Sequence, residues 1–227
     1  KLISFGGKAK TYLTYNGVTM EDMERYGRRY HDSGQYQTSA GPHVLADGSH
    51  VGYYDDQTDN YLQKNYQLLL NHSFSTAWNL NVALHYTKGD GYYEEYKPGS
   101  SLVEYGLKPF NPDGTETNES DLVRQKKMDN NFGGGVFSLN YTGNRLTASL
   151  GGGLNQYRRN NFGKVTWVKN YIGNLSPEHE YYRNKSKKTD GNIYLKANYD
   201  LTSTLSAYAD LQYRHIDYTI DGVNDKY

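Results

Sequence analysis

The chain has no cysteine, five prolines and two tryptophans among 227 residues. Without cysteine there is neither a disulfide nor a thiolate metal site. No apolar run approaches the roughly 20 residues of a membrane-crossing helix, although a membrane barrel needs only about 9–11 per strand. Excess charge is missing too: 25 basic and 25 acidic residues give a formal net charge of +0. Nucleic-acid binders usually carry a basic excess, so no nucleic-acid partner is expected. Aliphatic side chains are also few, with 36% hydrophobic residues and a mean hydropathy of −0.91. That is poor material for an ordinary packed core.

Tyrosine and glycine are abundant, at 25 and 24 copies. So many aromatics exclude a solvated disordered chain. The setting is period-two alternation, plainest from Thr189 to Ile220. Ile193, Leu195, Ala197 and Tyr199 share one side of the first arm, and Asn192, Tyr194, Lys196 and Asn198 the other. In the second arm Leu205, Ala207, Ala209, Leu211 and Tyr213 oppose Ser206, Tyr208, Asp210, Gln212 and Arg214. Successive strand side chains point to opposite faces, so this is a long two-faced hairpin with its turn at Asp200 to Ser203.

The pattern repeats along the chain. A first strand is expected around Lys10–Tyr15, then a connection over Val18–Asp59 with a short helix capped by Thr19 and Asp22. Strands follow over Asn60–Ser75 and Trp78–Tyr96, then a polar loop with Pro98, Pro109 and Pro112. Strands over Asp121–Thr142 and Arg145–Phe162 flank a two-residue turn at Gly143-Asn144, and a third long connection covers Gly163–Glu180. That turn predicts Tyr141 opposite Leu146, Leu139 opposite Ala148 and Phe137 opposite Leu150. It also sets Gly134 opposite Gly153 and Gly135 opposite Gly152, so that two triple-glycine runs meet. Short turns near Ala77, Gly143 and Thr202 fall at one end and long loops at the other. Phe74, Trp78, Tyr141 and Tyr199 lie beside the short turns. This asymmetry matches outer-membrane barrels, with short inner turns, long outer loops and aromatic girdles. The expected fold is all-β, about seven long antiparallel strands of a barrel wall, with 1–227 as part of one barrel domain. The competing fold is a soluble sandwich of two packed sheets.

The stretches Gly7-Lys8-Ala9-Lys10-Thr11-Tyr12, Leu84-His85-Tyr86-Thr87-Lys88-Gly89-Asp90-Gly91-Tyr92-Tyr93-Glu94-Glu95-Tyr96, Asp121-Leu122-Val123-Arg124-Gln125-Lys126 and His179-Glu180-Tyr181-Tyr182-Arg183-Asn184 resemble TonB-dependent outer-membrane receptors of Bacteroides-type bacteria. The shorter Asp59-Asn60-Tyr61 adds to this. The resemblance implies a middle section of a 22-stranded barrel, about seven strands, with a plug domain and TonB segment outside this chain. It implies an outer-membrane location, contact with membrane lipid, coupling to the TonB complex through the plug, and a possible surface lipoprotein partner. The implied activity is uptake of a scarce small molecule such as an iron-siderophore, haem, cobalamin or a glycan.

No G-x-S-x-G, P-loop or H-E-x-x-H pattern occurs, so neither an enzyme nor a bound cofactor is expected. Asp55, Asp56, Asp59 and Asn60 offer oxygen ligands at a calcium-like spacing, but without the EF-hand pattern they read as a solvated turn. Recognition is expected in the loops. Arg25, Arg28, Arg29 and Tyr30 cluster in the first, Tyr92, Tyr93 and Tyr96 crown the second, and Arg158, Arg159 and Trp167 border the third, with Tyr181 and Tyr182 nearby. Tyrosine and arginine offer area and donors at modest entropy cost. The arginines favour an anionic ligand such as a metal chelate. The alternative function is a surface adhesin or soluble β-rich module that grips glycan or protein.

Overall fold

The computed structural model describes residues 1–108, 113–169, 171 and 179–225. In chain order it contains β1 (Leu2–Tyr12), α1 (Met20–Tyr26), β2 (Gln35–Thr38), β3 (His43–Val44), β4 (His50–Tyr53), β5 (Thr58–Ser73), β6 (Trp78–Ser101), β7 (Glu119–Thr142), β8 (Leu146–Val168), β9 (Glu180–Asp200) and β10 (Ser206–Gly222). One antiparallel sheet of seven strands runs β1-β5-β6-β7-β8-β9-β10. Every pairing joins consecutive large strands, and β1 and β10 are its two edges. The short turns β5–β6, β7–β8 and β9–β10 lie at one end and the long connections at the other, as expected. The sheet does not close on itself within these residues.

The pairings sort the side chains into two faces. On one, Leu70 meets Val82, Val82 meets Phe137, Leu139 meets Leu150, and Leu150 meets Leu195, which meets Leu211. On the other, Asn71 meets Asn81, Asn81 meets Ser138, and Asn140 meets Ser149. That face is cross-linked by amide and hydroxyl bonds, including Asn81 Nδ2 to Asn79 Oδ1 at 2.8 Å and Ser149 Oγ to Asn140 Oδ1 at 2.7 Å. Midway along the strands it carries an apolar row, Leu69, Ala83 and Val136. Among the described residues no second layer covers the apolar face: Leu195 is 50% exposed, Leu154 62% and Leu211 72%. A sandwich would bury those residues, so the two-layer alternative is not the observed architecture. Leaving them in water forfeits roughly 1.5–3 kcal/mol per large aliphatic side chain.

The first strand, expected around Lys10–Tyr15, runs instead over Leu2–Tyr12, and the expected β7–β8 register also needs correction. The β7–β8 turn is centred on Asn144-Arg145, since Gly143 N donates to Leu146 O at 2.8 Å. The pairs are therefore Tyr141 with Ala148, Leu139 with Leu150 and Phe137 with Gly152. The turn moves by one residue, so each partner moves by two and every side chain keeps its face. The triple-glycine runs do not meet. Gly135 lies opposite Leu154 and Gly153 opposite Val136, so glycines stand against bulk.

Five of the 24 glycines and five of the 25 tyrosines share one structural role. Tyr61 pairs across strands with Gly91, Tyr86 with Gly133, Tyr194 with Gly151, Tyr182 with Gly163 and Tyr36 with Gly52. In each pair a Cβ added to the glycine would meet its partner's ring, as close as 2.3 Å for Tyr182 over Gly163 and 2.4 Å for Tyr194 over Gly151. The ring fills the space a side chain would take and shields the glycine backbone.

The buried apolar core sits at the long-loop end. A single 3-10 turn, Leu102–Tyr105, follows β6 and lies over the polar face. Leu102, Tyr105 and Leu107 pack there on Leu122, Val165 and Val168, with Leu122 and Val165 fully buried. Arg124 holds this turn: Nε donates to Glu95 Oε2 at 2.9 Å and Nη1 to Tyr105 Oη at 3.0 Å. His179 Nε2 donates to Tyr105 O at 2.7 Å. Pro109 and Pro112 lie outside the described residues, as does most of the β8–β9 connection.

The connection expected as one long loop is a small module, with α1 and the sheet β2-β4-β3. The helix cap is as expected, with Asp22 N donating to Thr19 Oγ1 at 3.0 Å and Thr19 Oγ1 to Asp22 Oδ2 at 2.7 Å. Gln57 ties the module to the wall, accepting from Tyr96 N through Oε1 at 3.0 Å.

Candidate functional site

The register of β6 to β10 gathers a concave site on the polar face near the long-loop end. Tyr93, Lys126, Gly163 and Tyr182 form one row across four strands. Arg159, Lys188, Tyr157, Asn161, Asn184, Ser186 and Tyr218 complete a cavity of about 750 Å³. These residues are far apart in sequence, and only antiparallel pairing of long strands brings them together.

Four cations line it: Lys126, Arg159 and Lys188 belong to the polar face, and Lys127 sends its Nζ over the Tyr92 ring instead. Lys126 pairs with Asp225, carried in by the turn after β10. That turn folds back over β9, where Val223 N donates to Arg183 O at 3.0 Å and Asn184 Nδ2 to Val223 O at 3.1 Å. Lys188 Nζ stands 3.9 Å from Asp190, whose carboxylate is held by Arg214 Nε at 2.9 Å. Arg159 has no acidic partner among the described residues, and its buried Nε has no hydrogen-bond partner. A guanidinium so placed has donors to spare for an anion.

Tyrosines wall the cavity. Tyr93 packs on Tyr15 at 5.3 Å, and Lys126 Nζ lies 5.9 Å from the Tyr93 ring centre. Tyr182 is buried against Tyr181, which leans on Tyr105, so the rim core supports this wall. Burial pushes the Tyr182 hydroxyl up to about 12, with Asp225 and Tyr93 adding to the shift. It stays a neutral donor at physiological pH. Below, Tyr157 Oη donates to Asn130 Oδ1 at 3.0 Å, and His85 Nε2 and Asn155 Oδ1 share a hydrogen bond of 2.8 Å. The set suits an anion with a flat or hydroxyl-rich body: cations for charge, rings for stacking, amides for polar edges.

Of the residues expected from sequence, Tyr93, Arg159 and Tyr182 are in this site. Arg158 points to the opposite face, where its Nε donates to Gln156 Oε1 at 2.6 Å. Tyr92 is also on that face, under Lys127 Nζ at 4.9 Å. Tyr96 is buried: its hydroxyl donates to Asp121 at 2.7 Å and its ring stacks near Trp167 at 6.4 Å. Tyr36 and Tyr54 join them in an aromatic cluster outside the cavity. Arg25, Arg28, Arg29 and Tyr30 sit on the small module, where the three arginines are exposed. Tyr26 stacks on Tyr30 at 4.5 Å, and Arg25 lies 5.1 Å above Tyr26. Asp56 is engaged by Lys10 Nζ at 3.0 Å, and among the described residues no group of three His, Asp or Glu could hold a metal ion.

Sequence reasoning missed Lys126, Tyr157, Lys188 and Tyr218. The signal was available: Tyr157 and Arg159 alternate with Asn155 and Asn161 on the polar side, as Lys188 does with Ser186 and Asp190. Within a strand, alternation of this kind marks the face of a residue and not the cavity it lines. No protein-family model matches the chain, and no curated protein does.

Proposed function

We propose that this chain is a section of the wall of an outer-membrane β-barrel receptor that takes up a small anionic nutrient, in the manner of TonB-dependent receptors. The observation that carries the reading is the sheet with two unlike faces: one apolar and uncovered, the other polar and holding the cationic site. Lipid is the partner that relieves an uncovered apolar face of this size, and a wet lumen suits the other. The edges β1 and β10 would pair with further strands, because an open edge is not tolerated in lipid.

The tilt of the apolar band supports the same reading. Its limit toward the loops is Tyr86 on β6, Leu154 on β8 and Ile193 on β9. Leu154 lies one ladder step, and Ile193 two, closer to the short turns than the row of Tyr86. At the turn end the limit moves the same way, from Trp78 on β6 to Tyr199 on β9. A flat slab cuts tilted strands obliquely, and barrel strands tilt by roughly 35–45°.

The ligand reading rests on Lys126, Arg159 and Lys188. A negatively charged chelate such as an iron-siderophore fits this set, and a plug outside the chain would couple its release to the TonB complex. The test is binding of anionic chelates to the full-length receptor carrying Lys126→Gln and Arg159→Gln. Reduced affinity and a shallower salt dependence are expected, and unchanged binding would remove the site from the mechanism. The aromatic cluster of Tyr36, Tyr54, Tyr96 and Trp167, outside the cavity, favours a second reading as a glycan-binding surface protein. A plug domain encoded upstream separates transport from adhesion.

A further inference from the structure

The apolar face ends toward the loops in an arrangement that sheets ordinarily avoid. Lys64 lies directly opposite Lys88, and Arg158 directly opposite Lys187. Asn131 pairs with both Lys88 and Arg158, so all five belong to one continuous row over β5 to β9. Like charges directly opposite each other destabilise a sheet. Four cations and no anion in one row therefore need compensation from somewhere.

The protein supplies little of it. Lys88 is paired with Asp129. Lys64, Arg158 and Lys187 have no carboxylate partner among the described residues, and neither does Lys185, two residues beyond Lys187 on the same face. The remaining outward carboxylates nearby are on other strands. On β10 Asp221 lies directly opposite Lys185 and Asp217 diagonal to Lys187, but neither carboxylate comes within ion-pair distance of Lys185 or Lys187. Asp90 neighbours Lys88 on β6, and Glu180 is held by Arg183. Lys64, Arg158, Lys185 and Lys187 are all exposed.

The level of the row is as telling as its charge. Tyr66 and Tyr86, stacked at 6.4 Å, lie one pair closer to the apolar band than Lys64 and Lys88. Arg158 is two outward residues past Leu154, and Lys187 is three past Ile193. Aromatic rings prefer the boundary of the hydrocarbon, and lysine and arginine stems bend back along apolar surface to keep their charge at its edge.

We infer that this row is a docking site for phosphate-bearing lipid of the leaflet on the long-loop side, with the acyl chains on Leu84, Leu154 and Ile193 and the headgroup phosphates on Lys64, Lys88, Arg158 and Lys187. The inference rests on the barrel reading above. The site takes phosphorylated headgroups and passes over neutral ones, because only the former supply the missing negative charge. Arg158 offers two parallel donors to one phosphate, and the lysines act as point charges beside it.

The experiment uses the full-length receptor in detergent, given either lipid A or its enzymatically dephosphorylated form, with bound lipid measured by native mass spectrometry. The wild type is expected to retain the phosphorylated form in excess. Arg158→Gln with Lys187→Gln should lower that retention roughly 25-fold at low salt, about fivefold for each surface cation removed. Lys196→Gln, on the polar face, should leave it unchanged. Equal retention of the two lipids, or no loss in the double variant, overturns the inference while leaving the barrel intact. Heat-modifiable migration and fractionation with the outer membrane are measured on the same samples. If the wild type lacks both, the barrel reading fails and this inference fails with it.

Discussion

At the scale of single residues, adjacent positions take unrelated roles. Arg158 and Arg159 are neighbours in sequence, yet one faces outward and the other lines the cavity, because strand side chains alternate. Arg159→Gln is expected to weaken an anionic ligand by about tenfold, the loss of one charge-assisted contact. Isothermal titration of the full-length receptor measures it, with Lys196→Gln as the same-face control. Arg28→Ala with Arg29→Ala tests the other basic cluster: unchanged affinity and salt dependence would show those arginines to be solvated surface. Asp121 adds a pH-dependent element at the rim. Burial acts to raise its carboxyl, but donation from Tyr96, the Gly99 amide and Lys169 outweighs this and holds it below the ordinary 3.8. A carboxyl lowered in the folded state stabilises fully above its unfolded value, and that contribution is lost as pH falls through the folded one. Asp121→Asn should therefore loosen residues 96–107 at neutral pH, by about 1–3 kcal/mol. The difference from wild type should vanish well below pH 3.8. Hydrogen exchange across that range gives the comparison, and a difference that persists in acid would separate the rim from Asp121.

At the scale of elements, cross-strand pairs of glycine with tyrosine set the local packing. Gly151→Ala places a Cβ 2.4 Å from the Tyr194 ring and 2.8 Å from Phe137 O. The ring or the strand must shift, at a cost of roughly 1–3 kcal/mol. Gly7→Ala meets nothing within 4 Å and should be close to neutral. Denaturant melting of the two variants tests the contrast, and equal stability would mean that Tyr194 is not held over Gly151. The same pairs show what was legible beforehand. Strand identity and face were readable from Asn192 to Tyr213, because a two-residue period survives any error in pairing. The β7–β8 register was not. Moving the turn from Gly143-Asn144 to Asn144-Arg145 still sets apolar against apolar, so hydrophobic matching cannot tell the two apart. The small module escaped too, because β2, β3 and β4 have 4, 2 and 4 residues, too few to establish a period. The cavity stayed hidden for a topological reason: Lys126, Arg159 and Lys188 converge only once three long strands are in register.

At the scale of the whole molecule, the deciding contrast lies in two adjacent residues of β9. Leu195 sits in the middle of the apolar row, between Leu150 and Leu211, and is half exposed. Lys196 points the other way, between Ser149 and Asp210, with its Nζ 5.7 Å from the Tyr194 ring centre. In water both changes are surface substitutions, and Leu195→Arg and Lys196→Leu would each shift stability by no more than about 0.5 kcal/mol. In a membrane the two separate sharply. An arginine near the bilayer midplane costs about 2–4 kcal/mol, whereas a leucine facing a wet lumen loses only one solvated charge. Leu195 lies between Ile193 and Tyr199, the two limits of the band on β9, so an arginine there falls within the apolar row. Leu195→Arg in the full-length receptor should therefore reduce the folded, heat-modifiable form in the outer membrane severalfold, and Lys196→Leu should leave it near wild type. If the two variants assemble equally well, the apolar face does not meet lipid, and the wall would have to be covered by another protein surface.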